Sequence, residues 1–206
     1  MDFNGFARPP YAPNDFIFPF INIALANQTP IIMIHIRPCI ENEHSAAILT
    51  IFNEAIANLT ALYEYEPRTP EFMAQWFAEK RERDFPVLGA FDDAGVLLGF
   101  ATYGVFRSKP AYKYTIEHSI YIHHEHRGKG VGRVLLEPLI EQAKAQDYHC
   151  MVGAIDGANS ASIHLHEQFG FTYAGTIHQA GFKFGEWLDL VFYQLLLSTP
   201  EHPVDG

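Results

Sequence analysis

Apolar residues recur at two different spacings along the chain, and these spacings predict helices and strands in alternation. Intervals of three and four predict helices at 41–59, 72–83 and 131–146, and a fourth helix at 159–169. Thr69 and Pro70 precede the second helix as a cap and as its first helical residue. Gly170 follows the fourth helix, where glycine is a typical stop signal.

Short apolar or alternating runs between the helices predict the strands. They lie at 31–37, 85–91, 96–106, 114–123, 150–155, 171–179 and 187–197. The turn Asp92-Asp93-Ala94-Gly95 predicts one hairpin, and the last two runs predict a terminal hairpin. The first 32 residues show no periodicity and contain Pro9, Pro10, Pro13, Pro19 and Pro30. We therefore predict an N-terminal extension (1–32), one compact domain (33–197) and a C-terminal tail (198–206).

The composition is that of a globular protein with an acidic surface. Of 206 residues, 48% are hydrophobic and 18% are charged, which provides enough apolar material for one core. The 14 Lys and Arg against 24 Asp and Glu give a net charge of −10, which disfavours binding to nucleic acid or anionic membranes. No run approaches the roughly 18 apolar residues of a membrane-spanning helix.

Metal and disulfide chemistry find little support in the sequence. Cys39 and Cys150 lie far apart and belong to no CxxC pair, and the histidines form no HExxH motif. We therefore expect no bound metal, and the cysteines fit a reducing, cytoplasmic setting.

A basic, glycine-rich loop at 127–132 follows a predicted strand and precedes a predicted helix. Glycines let the backbone approach a ligand closely, and a helix N-terminus attracts anions, so this loop predicts a pyrophosphate site. Its spacing matches neither the GxxxxGK[ST] pattern for ATP nor the GxGxxG pattern for NAD. The alternative is a solvated basic turn that only connects two elements.

Two motifs in this order resemble the signature of the GNAT superfamily of acetyl-CoA-dependent N-acetyltransferases. They are Arg127-x-x-Gly130-x-Gly132 and Asn159-x-x-Ser162-x-x-x-His166-x-x-x-Gly170-Phe171. The segments 114–122, 165–167 and 181–189 are similar to the family of phosphinothricin and methionine sulfoximine N-acetyltransferases. This resemblance covers about 33–197.

The resemblance implies an α/β (α+β) GNAT fold, with a mixed, mostly antiparallel sheet of about seven strands, splayed at its centre and flanked by about four helices. It also implies a homodimer and acetyl-CoA as the acetyl donor, with the pantetheine arm lying in the splay like an extra strand. The cofactor-binding residues that it implies are Ile120, Tyr121 and Ile122 for the pantetheine, Arg127, Gly128, Lys129, Gly130, Val131, Gly132 and Arg133 for the pyrophosphate, and Asn159 across the cleft. Asn159 is equally typical of a helix N-cap.

Acetyl transfer to an amine needs a base for the amine and a proton for the departing thiolate. Glu117, on the central predicted strand, is the candidate base, because burial would raise the pKa of its carboxyl into the working range. On the family resemblance His166 is the candidate acid, since it stands where many superfamily members carry a tyrosine. The alternatives are a surface glutamate on an edge strand and an exposed helix histidine.

The resemblance also indicates the acceptor site. Arg107, Ser108 and Lys109 match the family's substrate-binding segment, and a guanidinium suits a carboxylate. The other residues implied there are Glu117, His118, Ser119, Tyr63 and Tyr112. The expected reaction is acetylation of the α-amine of an amino-acid analogue such as phosphinothricin, methionine sulfoximine or methionine sulfone. The alternatives are a polyamine or a peptide N-terminus as acceptor, and an acyl-CoA sensor without catalysis.

Overall fold

The computed structural model describes residues 21–22 and 33–205. Its strands are β1 (Ile21–Asn22), β2 (Met33–Pro38), β3 (Val87–Phe91), β4 (Leu97–Val105), β5 (Thr115–Ile122), β6 (Cys150–Asp156), β7 (Thr172–Lys183) and β8 (Glu186–Leu196). They form one sheet in the order β1-β2-β3-β4-β5-β6-β8-β7. All neighbours are antiparallel except the parallel pair β5 and β6. The predicted mixed sheet is confirmed, and the two-residue β1 adds an edge strand to the seven longer ones.

Among the described residues, four α-helices flank this sheet, near the predicted positions. They are α1 (Glu41–Asn58), α2 (Pro70–Glu82), α3 (Val131–Ala145) and α4 (Ser160–Gln168). The hydroxyl of Thr69 accepts the N–H of Phe72 at 3.3 Å, and Pro70 opens α2 as predicted. The side chain of Asn159 accepts the N–H of Ser162 at 3.1 Å, so the N-cap role of Asn159 is present.

Both faces of the sheet are covered, and the central strands contribute to two cores. On one face α3 buries Leu135 and Leu139 against Ile116 of β5. On the other face α1 and α2 bury Phe52 and Phe77, together with residues of β3 and β4. Successive residues of a strand point to opposite faces, so each side chain of β5 belongs to one layer or the other.

The terminal hairpin is longer than the sequence pattern predicts. β7 continues to Lys183, whereas the predicted strand ends at Gln179. The register shifts between Ile177 and Gly181, and Gln179 adopts a φ of 52° while its N–H donates to Asp189 at 2.8 Å. Such a bulge interrupts the two-residue alternation, which explains why the second half of the strand has no strand pattern.

Two segments outside the predicted domain contact it. β1 belongs to the predicted extension and pairs with β2, and the Thr199 hydroxyl of the predicted tail donates to the Tyr148 carbonyl at 2.5 Å. The domain boundaries stay predictions, since most of 1–32 lies outside the described residues. Within 21–22 and 33–205, no helix combines the length and apolar content needed to cross a membrane.

Candidate active site

The parallel strands β5 and β6 separate partway along their length. Their ladder ends at Glu117 and Val152, and we call this point the vertex. Beyond the vertex, residues 118–122 and 153–156 line the two sides of a cavity of about 580 Å³. The predicted splay at the centre of the sheet is therefore confirmed. Strand backbone that has lost its neighbour can form hydrogen bonds to an extended ligand in this cavity.

The glycine-rich loop closes one end of the cavity. Gly128 and Gly130 have φ values of +72° and +79°, which L side chains rarely adopt, and Gly130 caps α3. The N–H of Arg133 donates to the Gly130 carbonyl at 3.1 Å. The N–H groups before it in the first turn have no intrahelical acceptor, as at every helix start, and suit an anion.

Nine of the predicted cofactor residues line the cavity: Ile120, Tyr121, Ile122, Arg127, Gly128, Gly130, Gly132, Arg133 and Asn159. Val131 has its side chain in the core at 2% exposure, so only its backbone can face a ligand. Lys129 is exposed and stands outside the lining. The binding roles of these residues stay predictions.

The side chain of Arg127 is held by protein groups. Its guanidinium forms an ion pair with Glu54 of α1, and its Nε–H donates to the Ile122 carbonyl at 3.2 Å. These contacts attach the start of the loop to β5 and to α1. No sequence signal pointed to Glu54, which lies 73 residues away along the chain.

Two buried histidines stand beside the vertex. His118 and His166 have their Nε2 atoms 3.1 Å apart, and their rings stack with centroids 4.9 Å apart. Phe171 packs edge-on against both rings. A Cβ atom on Gly153 would lie 2.9 Å from Nε2 of His166, so the glycine leaves room for the pair. His166 is only 4% exposed, which contradicts the alternative of an exposed helix histidine.

Hydrogen bonds assign the tautomers of this pair when both rings are neutral. Nδ1 of His166 lies 2.6 Å from the Ser162 carbonyl oxygen, which can only accept, so Nδ1 carries the proton. Nε2 of His166 then accepts a hydrogen bond from Nε2–H of His118. Burial lowers the pKa of both imidazoles, and the charge of His166 lowers that of His118 further. Near pH 7 the pair is therefore neutral, and His166 needs one added proton to serve as an acid.

Glu117 lies at the vertex, and its side chain points to the opposite face of β5 from that of His118. It is half-buried, and burial raises the pKa of its carboxyl while the Arg107 guanidinium acts in the opposite direction. Its cross-strand partner in β4 is Gly104, which adds no side chain beside it. The alternative of an edge-strand glutamate is wrong, because β5 lies between β4 and β6.

The residues predicted to bind the acceptor fall into separate groups. Four of them line a second cavity of about 730 Å³ beyond the end of β4: Arg107, Ser108, Lys109 and Tyr112. His118 and Ser119 line the first cavity instead. Tyr63 packs on β7, where a Cβ atom on Gly181 would lie 2.6 Å from its ring. The residues that the resemblance assigns to one acceptor site are therefore divided between separate places within the described chain.

Two polar residues of the cavities were missed by sequence reasoning. Asp156, at the end of β6, is 8% exposed and accepts hydrogen bonds from the Thr60 hydroxyl and the Ala158 N–H. Lys80 lines the second cavity, and its ammonium donates to the Tyr103 carbonyl at 2.6 Å. A lone aspartate and a lysine on a charged helix have no pattern that predicts burial.

The splayed sheet, the glycine loop before α3 and the capped α4 together define one class of protein. Residues 53–171 match the family described as "Acetyltransferase (GNAT) family". The chain therefore belongs to the GNAT family, and it is an acetyl-CoA-dependent N-acetyltransferase.

Three individual relatives are similar to most of the chain. The chain is 45% identical over 151 residues, 73% of its length and 88% of the other's, to the L-methionine sulfoximine/L-methionine sulfone acetyltransferase of Pseudomonas aeruginosa. The solved structure of a protein from Acinetobacter baylyi ADP1 is 52% identical, with a TM-score of 0.85 over 87% of this chain and 100% of that one. The phosphinothricin acetyltransferase of Sinorhizobium meliloti, solved in complex with acetyl-CoA, is 33% identical, with a TM-score of 0.79 over 82% of this chain and 92% of that one.

Proposed function

We propose that the protein transfers acetyl from acetyl-CoA directly to the α-amine of a small amino-acid analogue of the methionine sulfoximine, methionine sulfone or phosphinothricin type. The activities of the Pseudomonas and Sinorhizobium relatives support this acceptor class. The observation that carries the proposal is the vertex, where the first cavity opens at His118, the residue that follows the half-buried Glu117 in β5. A thioester held at this point would lie beside a group able to accept a proton.

The donor is proposed to lie along the first cavity. The backbone of 120–122 would pair with the pantetheine amides, and the N–H groups of 128–133 would hold the pyrophosphate. The side-chain oxygen of Asn159 already accepts from Ser162, so its amide N–H groups are the ones that can bind the donor.

No metal takes part in this proposal. One cluster among the described residues has the spacing of metal ligands, formed by His123, His124 and Glu125. Two of its three members are exposed, and all three stand outside the lining of the first cavity. The positive end of α3 and the basic loop offer the phosphates the charge that a metal would otherwise supply.

In this proposal Glu117 and His166, whose side chains lie on opposite sides of β5, carry out the proton transfers. Glu117 accepts the proton that converts the acceptor's ammonium into a nucleophilic amine. The amine nitrogen bonds to the acetyl carbon and the carbon–sulfur bond breaks, and the departing thiolate takes a proton from His166. The ammonium loses two protons, the first to Glu117 and the second to solvent as the amide forms, and Glu117 then releases its proton to solvent. His166 takes up one proton from solvent before it donates to the thiolate, so one proton is released overall.

Replacing His166 tests its proposed role as the general acid. We expect His166→Ala to lower kcat by about 10- to 100-fold. This loss is smaller than the usual contribution of a general acid, because little of the buried pair is protonated near pH 7. Acetyl thioesters of more acidic thiols should relieve this loss, since a better leaving group needs less protonation. An equal loss with every thioester, measured in steady-state assays, would argue for a purely structural role.

Replacing Arg107 tests the carboxylate site. Arg107→Gln should raise the KM for the acceptor by about 10- to 30-fold and leave the KM for acetyl-CoA unchanged, as expected for a lost charge-assisted hydrogen bond. Lys144→Gln, at a partly exposed position of α3 outside the lining of both cavities, makes the same change of net charge and serves as the control. Unchanged acceptor KM in Arg107→Gln would remove this residue from the proposal.

A coenzyme A release assay tests the function as a whole. The acceptor panel holds methionine sulfone, methionine sulfoximine, phosphinothricin, spermidine and a peptide with a free N-terminus. The proposal expects turnover with the first three, and the cationic Arg107 disfavours the polyamine. Tight acetyl-CoA binding without release for any amine would favour the sensor alternative.

We further propose that the protein is a homodimer in the cytoplasm. Large aromatic side chains are exposed on the 61–70 segment and the tip of the β7–β8 hairpin: Tyr65, Phe182, Phe184 and Trp187. Such a patch is typical of a protein interface. Sedimentation at micromolar concentration should give a dimer, and Trp187→Glu should shift it toward the monomer. A wild-type monomer at these concentrations would contradict the proposal.

A further inference from the structure

The second cavity is strongly positive in an otherwise acidic protein. Its lining holds Glu79 and Asp84 and five cations, which are Lys80, Arg83, Arg107, Lys109 and Lys113. The whole chain carries a net charge of −10, so this concentration of positive charge indicates an anionic or strongly dipolar ligand. The proposed function uses only Arg107 from this set, for the α-carboxylate of the acceptor.

Among these cations Lys80 has the least ordinary environment. Its ammonium donates to the Tyr103 carbonyl at 2.6 Å, and the rings of Trp76 and Phe85 lie 5.4 and 5.5 Å away. Within the described residues it forms no ion pair with a carboxylate at 4 Å or less. Burial lowers the pKa of this ammonium to about 8. A desolvated cation without a carboxylate partner is stabilised when a ligand brings negative charge to it.

The position of Lys80 relates it to the catalytic face of β5. Gly104 of β4 is the register partner of Glu117, so the two residues share a face of the sheet. A Cβ atom on Gly104 would have Nζ of Lys80 as its one described neighbour within 4 Å, at 3.6 Å. The ammonium therefore stands over open backbone in the strand next to the candidate base.

We propose that Lys80 binds the side-chain oxygens of the acceptor, on the tetrahedral sulfur or phosphorus of a sulfone, sulfoximine or phosphinate. This inference rests on the proposed function and adds the group that selects the substrate class. Arg107 holds the α-carboxylate, Glu117 faces the amine, and Lys80 holds the oxidised end of the side chain above Gly104. A compact ammonium with rotatable donors accommodates tetrahedral oxygen groups of differing geometry.

The test compares methionine with methionine sulfone, which differ only in these oxygens, and includes phosphinothricin as the phosphinate. Lys80→Gln removes the charge and keeps an N–H donor for the Tyr103 carbonyl. It should raise the KM for methionine sulfone and phosphinothricin by about 10- to 100-fold, while the KM for methionine changes by less than about twofold. Lys80→Arg should recover most of the affinity, and Lys144→Gln should behave as wild type. An equal rise for methionine and its sulfone would reveal a structural role and overturn the proposal.

Calorimetry with free coenzyme A present gives a readout that does not depend on turnover. The wild type should bind methionine sulfone at least about tenfold more tightly than methionine, and Lys80→Gln should abolish this difference. Binding of the sulfone without acetylation would refute the proposed function and leave the role of Lys80 intact. Equal affinity for the two ligands in the wild type, or no binding of either, would overturn the role of Lys80.

Discussion

Glu117→Gln is expected to lower kcat by about 10³-fold near neutral pH while acetyl-CoA affinity stays unchanged. The amide keeps the shape of the carboxyl but cannot take a proton from the acceptor's ammonium. The loss should shrink at high pH, where free amine is already abundant in solution. Steady-state rates across pH, together with acetyl-CoA binding by calorimetry, measure both effects.

The pH profile of the wild type tests the ionisation of the proposed base. The base must be ionised, so kcat/KM should rise as pH increases through the pKa of Glu117. Burial raises this pKa, and Arg107 partly opposes the effect. The acidic limb should therefore lie above the range of an ordinary glutamate, and Arg107→Gln should move it higher still.

A matched substitution separates catalysis from folding. Glu137→Gln makes the same chemical change on the exposed face of α3, and it should leave kcat unaltered. Full activity of Glu117→Gln at every pH would mean that another group removes the proton. A water chain or His118 would then be the next candidate.

Local features were predictable from the sequence, since they depend on residues that are close along the chain. Thr69 and Pro70 start α2 as expected, and Gly130 caps α3 while Gly132 lies in its first turn. The family motifs then implied the splayed sheet, which the end of the β5–β6 ladder confirms. Periodicity alone would not have given this splay, because it contains no information on where two strands part.

Contacts between distant segments could not be predicted, because a periodic pattern gives the direction of a side chain and not its partner. His118 and His166 are 48 residues apart. The alternation along β5 could have shown that His118 and Glu117 point to opposite faces. That signal would have separated His118 from Glu117 in the predicted acceptor site, but it would not have revealed His166 as its neighbour.

The same limit applies to buried charge. Lys80 lies among the charged residues of α2, and only the packing of α2 over Gly104 removes its ammonium from water. The bulge after Ile177 similarly depends on the hydrogen bonds of Asp189, which lies on the opposite strand. Each of these features arises from tertiary contacts, which a pattern within a single segment does not encode.

Gly130→Val is expected to weaken acetyl-CoA binding by at least about 10²-fold, through two physical effects. The φ of +79° at this position places a β-branched residue in a strongly disfavoured region, so the loop must change its path. The added side chain would also stand among the N–H groups proposed to hold the pyrophosphate. Calorimetry on the folded variant measures the loss directly.

Gly95→Val is the matched control for this substitution. Gly95 has the same φ of +79° in the turn between β3 and β4, outside the lining of the first cavity, with Arg37 as its described neighbour at 3.7 Å. Both variants impose similar backbone strain, so both should unfold at a lower temperature than the wild type. Only Gly130→Val should lose acetyl-CoA affinity, because only that loop faces the cavity. Equal affinity in the two variants would show that the pyrophosphate binds elsewhere than at the start of α3.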